Sequence, residues 1–253
     1  LITNLESQIT TDQSSQSKPS IDNNHIVWED NRNSAWDIYL YDISSSTEKQ
    51  ITSFNGLEKD PDISGNKIVY NYVLSTNYIH VYDISTGIDT KIPSPTGNQF
   101  NPSISGKWVV WEDDRNGALN YDIFAYDLTT GNEKQITNDL SMEQQPEMSG
   151  DYVVWKGTEN GNEDIYMYNL VTGNKQVITS HTSNQREPVI TDNNKIIRIV
   201  WEDFRNNNWD IYMTSLIPVS DPSFSENTIV SESSVSINQK TPRSQPKRNN
   251  KIN

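Results

Sequence analysis

Cysteine is missing from this chain of 253 residues, so the chain has no disulfides and no thiolate chemistry. Histidine is scarce: His25, His80 and His181 lie far apart, and none belongs to a His-x-x-x-His pair that would indicate zinc. No apolar run approaches the roughly 18 residues of a membrane span. A Gly-x-Ser-x-Gly elbow and a phosphate-binding glycine loop are also lacking. These absences disfavour several common enzyme classes and predict no membrane span.

Basic residues are fewer than acidic ones, 20 against 34, and the formal net charge is −14. The imbalance is uneven, because residues 217–253 contain three acidic and five basic side chains. Residues 1–216 therefore carry −16 and the last segment carries +2. An acidic body disfavours nucleic acid and anionic membrane surfaces as partners.

The main positive feature is a repeat of just over 40 residues, which is clearest in the stretch from Trp108 to Thr137. In each unit an aromatic residue ends an apolar run, at spacings of 42, 41, 44 and 46 residues. In chain order these aromatic residues are Trp28, Tyr70, Trp111, Trp155 and Trp201; the prolines ahead of the runs are Pro19, Pro61, Pro102, Pro146 and Pro188; and the residues that open a second, alternating run are Asp37, Tyr78, Asp122, Asp164 and Asp210. Because three markers keep one register, the chain consists of five copies of one structural unit.

Each unit has the pattern of four short strands rather than of helices. Runs such as Val153-Val154-Trp155 are continuously apolar, as in strands that are covered on both faces. β-Branched and aromatic residues dominate them, which favours strands. Thr-Gly and Ser-Gly pairs separate the runs, and glycine supplies the positive φ of tight hairpins. We predict a four-stranded antiparallel meander that ends in a strand around Gln-Ile-Thr.

Four strands in just over 40 residues is the period of a β-propeller blade. An open stack of β-units is the rival, but a single meander cannot bury both of its faces. The last unit lacks the closing Ile-Thr strand, whereas Gln8-Ile9-Thr10 precedes the first unit with no strands before it. The sequence therefore predicts an all-β, five-bladed β-propeller of four-stranded antiparallel blades, in which an N-terminal strand closes the last blade. The predicted propeller covers residues 1–216, with the closing strand at 1–10 and blades at about 19–52, 61–93, 102–137, 146–179 and 188–216.

Residues 217–253 form a predicted disordered or linker tail. The segment is rich in Ser, Asn, Gln and Lys, and its few apolar residues keep no period, so it cannot bury enough surface to order itself. Two interpretations stay open, an attachment segment and a frayed terminus without a role.

The most conspicuous side-chain pattern is Trp-Glu-Asp-x-Arg-Asn followed by an aromatic residue and Asp, which is complete in units one, three and five. One interpretation is structural, because an arginine between two carboxylates can form bidentate pairs that fix a hairpin turn. It predicts structural salt bridges among Arg32, Arg115, Arg205, Asp37, Asp122 and Asp210. The other interpretation is a binding surface, on which the rings of Trp36, Tyr121 and Trp209 offer flat platforms for sugars or peptides.

The residue before each proline begins an innermost strand, so it should lie at the rim of the central channel. These residues differ from unit to unit and are predicted to bind a ligand: Lys18, Asp60, Asn101, Gln145 and Glu187. Asp60 and Glu187, with nearby carbonyl groups, could hold a hard cation such as Ca²⁺ in the channel. No Asp-rich loop of known spacing supports such a site, and no other cofactor or metal is expected.

The repeat resembles that of the TolB-type propeller family. The resemblance is carried by Pro-x-Ile-Ser-Gly, by Ile/Val-Val-Tyr/Trp, and by Asp-Ile-Tyr-x-Tyr-Asp-Leu-x-Thr-Gly before Gln-Ile-Thr. It is clearest in Pro61–Tyr70, Asp122–Thr137 and Pro146–Thr179, and it covers residues 1–216. The resemblance implies the strand order given above, export to the periplasm or cell surface, and a protein-interaction role. Ser-Gly replaces the family's usual Ser-Pro-Asp-Gly turn, and five repeats stand where six are common.

These features together predict a non-catalytic extracellular or cell-surface propeller that acts as a protein or glycan interaction module. A monomer is expected, located outside the cell, on its surface or in the periplasm, with its ligand at one propeller face. The alternative is a carbohydrate-active hydrolase with carboxylates on the channel face. Two or three convergent carboxylates that stand outside the repeat register would favour that enzyme.

Overall fold

The computed structural model describes residues 6–117, 120–193 and 196–218, which form nineteen strands in five antiparallel sheets. Blade 1 contains β1 (Gln16–Asp22), β2 (His25–Asp30), β3 (Asp37–Asp42) and β4 (Thr47–Gln50); blade 2 contains β5 (Leu57–Ser64), β6 (Lys67–Val73), β7 (Asn77–Asp83) and β8 (Ile88–Lys91); blade 3 contains β9 (Gln99–Ser105), β10 (Trp108–Asp113), β11 (Asp122–Asp127) and β12 (Asn132–Gln135); blade 4 contains β13 (Glu143–Ser149), β14 (Tyr152–Gly157), β15 (Asp164–Asn169) and β16 (Lys175–Val177); and blade 5 contains β17 (Gln185–Asp192), β18 (Ile197–Asp203) and β19 (Asp210–Leu216). Each sheet is a simple meander in chain order. The predicted all-β fold and the count of five blades are confirmed.

The hydrophobic core lies between neighbouring blades. At the first junction, Val27 and Ile38 of blade 1 pack with Ile63, Ile68 and Tyr70 of blade 2, and equivalent clusters fill the next three junctions. The second and third strands are apolar on both faces because each blade is covered by one neighbour on either side. This packing explains why the sequence runs are continuous rather than alternating.

In blades 1, 3 and 4 the closing Ile-Thr segment is fixed to its blade through the threonine. The hydroxyl of Thr52 accepts the N–H of Ile38 at 2.8 Å, and Thr137 and Thr179 do the same in blades 3 and 4. Ile51 then donates its N–H to the carbonyl of Ile38 at 2.8 Å. The third strand therefore turns the backbone groups of this isoleucine toward the closing strand.

The predicted closure of blade 5 by the N-terminal strand is wrong in the described residues. Blade 5 has three strands, and Gln8-Ile9-Thr10 is not a strand of any sheet. The Thr10 hydroxyl instead lies 3.3 Å from the side-chain oxygen of Gln16 in blade 1. The three-residue segment thus stays beside the blade that follows it in the chain, and the outer edge of β19 has no partner strand among the described residues.

The solvent exposure of equivalent residues in blades 4 and 5 also indicates that the outer side of blade 5 is uncovered. Ile165 and Met167 on β15 are buried at 0% and 5% exposure, whereas Ile211 and Met213 at the same places on β19 are 70% and 54% exposed. On blade 1, Ile21 is 64% exposed. The outer faces of the first and last blades are therefore not packed against each other.

Among the described residues, no helix has the length and apolar character needed to cross a membrane. The predicted tail lies outside the described residues except for Ile217 and Pro218. Its assignment and the domain bounds that depend on it stay predictions.

Candidate functional site at the channel mouth

A β-bulge in the first strand of every blade places one side chain at the channel mouth. The pairing of the first and second strands is irregular at this point in all five blades. The residue before the proline adopts a left-handed backbone, with φ between 48° and 57°, at Lys18, Asp60, Asn101, Gln145 and Glu187. Such a conformation costs a non-glycine residue about 1–3 kcal/mol and persists only where the surrounding structure holds it. The bulge redirects these side chains out of the ladder.

The five predicted rim residues come together around one cavity of about 410 Å³. Asp62 and Glu147 line the same cavity, together with prolines of the first strands. Lys18 Nζ lies 3.6 Å from Asp60 Oδ1, and Gln145 Nε2 donates to Glu187 Oε1 at 2.5 Å. The mouth thus presents one ammonium group, two amides and four carboxylates, a mixture that suits a charged or strongly polar ligand.

Buried glutamates in the second strands hold the rim in place, a role that the sequence analysis missed. Glu29 and Glu112 are 3% and 2% exposed. Glu29 accepts the backbone N–H of Asp60, and Glu112 that of Gln145, each at 2.7 Å. Each glutamate thereby locks the bulge of the next blade, and burial raises the pKa of Glu112. The signal in the sequence is the glutamate that directly follows the repeated tryptophan.

Two further carboxylates line the channel beside the rim residues. Asp62 accepts hydrogen bonds from the Ser20 hydroxyl at 2.7 Å and from the backbone N–H of Ile104 at 2.8 Å. Glu147 keeps contact with water along the channel, yet the surrounding protein and the charge of Asp62 raise its pKa to about 7. Asp62 and Glu147 occupy the repeat position that holds Ser20, Ser103 and Val189 in the other blades, so a carboxylate at this position is not part of the repeat pattern.

The three predicted aromatic platforms lie next to the rim, and each already has a neighbour. Lys59 Nζ lies 4.6 Å from the ring centre of Trp36, and Tyr121 packs edge-on against Phe100 at 5.8 Å. Trp209 lies under the guanidinium of Arg186 at 3.8 Å. Lys59, Phe100 and Arg186 each directly precede a rim residue. Trp209 is 38% exposed.

The repeated arginines form ion pairs with a different aspartate from the one expected. Arg32, Arg115 and Arg205 pair with Asp30, Asp113 and Asp203 at 2.6, 2.6 and 2.8 Å. The same aspartates accept the indole N–H of the preceding tryptophan. Asp37, Asp122 and Asp210 have another role, because they accept side-chain amide protons from Asn33, Asn116 and Asn206 at 3.0, 2.6 and 2.9 Å. The arginines therefore belong to the hairpin scaffold and do not converge on the channel.

Asp60 and Glu187, proposed from the sequence as channel ligands for Ca²⁺, each have another polar neighbour. Asp60 lies beside Lys18, and Glu187 bonds to Gln145. Calcium in the channel stays a prediction.

The fold resembles those of solved propellers. TolB from Acinetobacter baumannii aligns over 82% of this chain and 53% of its own, with 22% identity and a TM-score of 0.63. A putative TolB from Agrobacterium tumefaciens aligns over 83% and 79%, with 13% identity and a TM-score of 0.61. The β-propeller domain of the trilobed protease from Pyrococcus furiosus, for which an open velcro topology is described, aligns over 78% and 66%, with 10% identity and a TM-score of 0.58.

This chain spans about half the length, 53%, of the A. baumannii protein. No protein-family model matches it, and a search of curated proteins finds no significant match. At these identities the likeness concerns the fold, which is a TolB-like β-propeller.

Proposed function

We propose that this TolB-like propeller is a non-catalytic interaction module whose channel mouth binds a basic segment of a protein partner. The observation that carries the proposal is the set of five rim side chains around one cavity. They occupy equivalent places in the repeat yet differ in chemistry, whereas the adjacent proline is the same in every blade. The fold therefore needs the proline but no particular side chain at the rim. A rigid scaffold that carries variable polar groups is a common design of binding sites.

The charge at the mouth indicates the kind of ligand. Four carboxylates, from Asp60, Asp62, Glu147 and Glu187, face the cavity against the single ammonium group of Lys18. Such an excess of negative charge attracts a lysine or arginine side chain and raises its association rate. The exposed part of the Trp209 ring beside the rim can then contact the aliphatic part of that side chain.

The location of the protein is part of the same proposal. The resemblance to TolB-type repeats supports a place outside the cytoplasm, in the periplasm, at the cell surface or in the medium. The acidic body favours a partner that is a protein rather than a nucleic acid.

A peptide and glycan array screened with the full chain tests the proposal. We expect basic peptides to bind, and their binding to weaken as salt is raised, because the attraction is electrostatic. The double variant Asp60→Asn/Glu187→Gln should lose this binding. Asp151→Asn is the matched control, because Asp151 lies in the turn at the other end of β13 from Gln145. Selective binding of glycans, or peptide binding that survives in the double variant, would contradict the proposal.

One observation favours the second candidate, a carbohydrate-active hydrolase. Glu147, with its raised pKa, lies near the carboxylate of Asp62. A carboxyl group with a raised pKa beside a second carboxyl group is the arrangement that glycosidases use for an acid and a base or nucleophile. Release of reducing sugar from an arrayed glycan, abolished by Glu147→Gln, would establish the enzyme. We expect no turnover from the full chain.

A further inference from the structure

A second group of carboxylates lies outside the channel lining, where blade 3 meets blade 4. Asp139 follows β12, Glu143 opens β13, and Glu159 is in the turn between β14 and β15. One oxygen from each of the three lies within 4.8 Å of the other two. Asp139 and Glu159 are exposed to water, whereas Glu143 is completely buried. We propose that these three residues bind a calcium ion.

Glu143 is the independent sign of a ligand. Its side chain is 0% exposed, and within the described residues neither carboxylate oxygen accepts a hydrogen bond from an N–H or hydroxyl donor; the group lies instead against the carboxyl group of Asp139. A buried carboxylate without a partner is costly, and proteins normally satisfy such a group with a hydrogen bond, a counter-charge or a metal. A cation between the three oxygens would supply the missing partner.

The repeat provides four internal comparisons for this place. In each unit the same three positions are a Glu or Gln near the start of the first strand, the residue four before it, and the residue four after the repeated aromatic. They are Asp12, Gln16 and Arg32 at blade 1; Phe54, Glu58 and Leu74 at blade 2; Pro95, Gln99 and Arg115 at blade 3; and His181, Gln185 and Arg205 at blade 5. Only the set at blade 4 has three acids. The acidic cluster is therefore not a requirement of the propeller scaffold.

One ion pair of the repeat has its charges reversed in blade 4, and this reversal accounts for Glu159 but not for the other two acids. In blades 1 and 3, Arg32 and Arg115 pair with Glu48 and Glu133. In blade 4 the signs are reversed, because Glu159 pairs with Lys175. Lys175 thus pairs with Glu159 and also lies near Asp139, but no salt bridge of the described residues reaches Glu143.

The neighbouring scaffold has changed in the same blade. Asp30, Asp113 and Asp203 accept the tryptophan indole N–H in blades 1, 3 and 5. Blade 4 has Gly157 at this position, and among the described residues the buried indole N–H of Trp155 has no partner. The aspartate and arginine that pair at this corner in blades 1, 3 and 5 are therefore both replaced beside Glu143.

The spacing of the oxygens is compatible with calcium. Two oxygens on one Ca²⁺, at about 2.3–2.6 Å each, can lie up to about 5 Å apart. The three oxygens all lie within 4.8 Å of one another, so one calcium ion can contact all three. Three carboxylates can supply up to six oxygens, and water completes the shell on the exposed side.

Calcium titration of the full chain, after treatment with a chelator, tests the proposal. We expect one ion to bind with a dissociation constant on the order of 10⁻⁴–10⁻³ M, the range of extracellular calcium modules. Terbium luminescence provides a second readout, because Lys175, the partner of Glu159, lies 5.6 Å from the Trp155 ring and 5.0 Å from the Tyr166 ring. Calcium should also raise the melting temperature, since it binds only the folded chain.

Three variants locate the ion. Glu143→Gln should weaken calcium binding about tenfold or more. It should fold, because glutamine occupies this register in blades 1, 3 and 5. Asp139→Asn, at an exposed position, is a second test that does not disturb the core. Asp12→Asn is the matched control at blade 1, where Arg32 balances the acid, and it should leave calcium binding unchanged.

Three results would overturn the proposal. The first is the absence of a calorimetric, luminescence or melting response to millimolar calcium. The second is calcium binding that survives in Glu143→Gln and Asp139→Asn but is lost in Asp60→Asn/Glu187→Gln, which would assign the ion to the channel. The third is magnesium binding as tight as that of calcium.

Discussion

Glu58→Gln replaces the buried carboxyl group at the junction of blades 1 and 2 with the amide that stands at the same register in blades 1, 3 and 5. The Glu58 side chain is 0% exposed, and its carboxyl group lies in hydrogen-bond contact with Thr52 and Asp37. Burial, followed by the nearby charge of Asp37, raises its pKa from the ordinary 4.5 to about 7. The carboxyl group is thus protonated in the folded protein over a pH range in which the unfolded chain has lost the proton.

The direction of the pH effect follows from proton linkage. Below pH 4.5 both states hold the proton, so the full contribution of Glu58 to stability is present. Between pH 4.5 and about 7 only the folded state holds it, and stability falls as the pH rises. Each pH unit of difference corresponds to about 1.4 kcal/mol, so the free energy of unfolding should fall by about 3 kcal/mol across this window. Glutamine does not titrate and should remove that fall.

The amide of the Glu58→Gln variant also lowers the stability of the folded chain, by an amount that does not change with pH. At blade 3 the side-chain oxygen of Gln99 accepts the N–H of Ile79 at 2.9 Å. At blade 1 the equivalent N–H, that of Ile38, is already bound by Thr52. The amide introduced by Glu58→Gln would therefore have fewer partners than that of Gln99, at a cost of about 1–3 kcal/mol. The difference in stability between acidic and alkaline pH, rather than the stability at one pH, is the quantity to compare.

Urea unfolding at several values between about pH 4.5 and pH 8 measures this difference. Glu163→Gln is the control, because Glu163 is a half-buried glutamate paired with Lys156 at 2.8 Å. We expect the pH slope of Glu58→Gln to be shallower than that of the parent chain and of Glu163→Gln. Equal slopes for all three proteins would refute the reasoning, since they would mean that Glu58 titrates alike in the folded and unfolded states.

Three further predictions concern the scaffold. Arg115→Ala should lower stability by roughly 3 kcal/mol rather than the 0.2–1 kcal/mol of a surface pair, because the buried Asp113 loses its counter-charge. Thermal unfolding measures this loss, and a loss below about 0.5 kcal/mol would contradict the prediction. Ile165→Ala should lower the free energy of unfolding by about 2–5 kcal/mol and Ile211→Ala by less than about 0.5 kcal/mol, because Ile165 is fully buried and Ile211 is 70% exposed. Urea unfolding measures both losses, and equal losses would mean that blade 5 is covered in solution. Gly97→Ala should destabilise the chain by about 1 kcal/mol or more, because φ is +83° there and a Cβ would lie 2.7 Å from the backbone nitrogen of Arg115; an unchanged melting temperature would contradict this.

The positions of the blades and of the rim could be predicted because both depend on local pattern. The places of Pro61 and Tyr70 recur at one fixed offset in four of the five units, so they fix the strands and identify the residue at the channel mouth. The left-handed backbone of that residue could not be predicted. A residue such as Lys18 disfavours positive φ, and such residues are held there by contacts between blades, for example the bond from Glu29 to the N–H of Asp60.

The aspartate that pairs with the repeated arginine could not be predicted either, for a different reason. Asp30 and Asp37 face each other across the β2–β3 ladder, so the sequence places two carboxylates at the base of one turn. The choice between them depends on the indole of Trp28, which donates to Asp30 and helps to hold it facing Arg32. The side-chain amide of Asn33 in turn donates a hydrogen bond to Asp37. A hydrogen-bond network of this kind follows from side-chain directions in three dimensions, which residue spacing alone does not determine.

Ring closure is a property of the whole chain rather than of any repeat. Each junction is specified locally, by apolar residues such as Ile165 on one blade and Ile190 on the next. Whether the fifth blade returns to the first depends on the angle between successive blades, and small changes at four junctions add together. The Gln-Ile-Thr segment at residues 8–10 has the sequence of a closing strand, but its position is set by blade 1 through Gln16. A pattern can therefore identify a strand that is suited to the open edge of β19 without showing that the two meet.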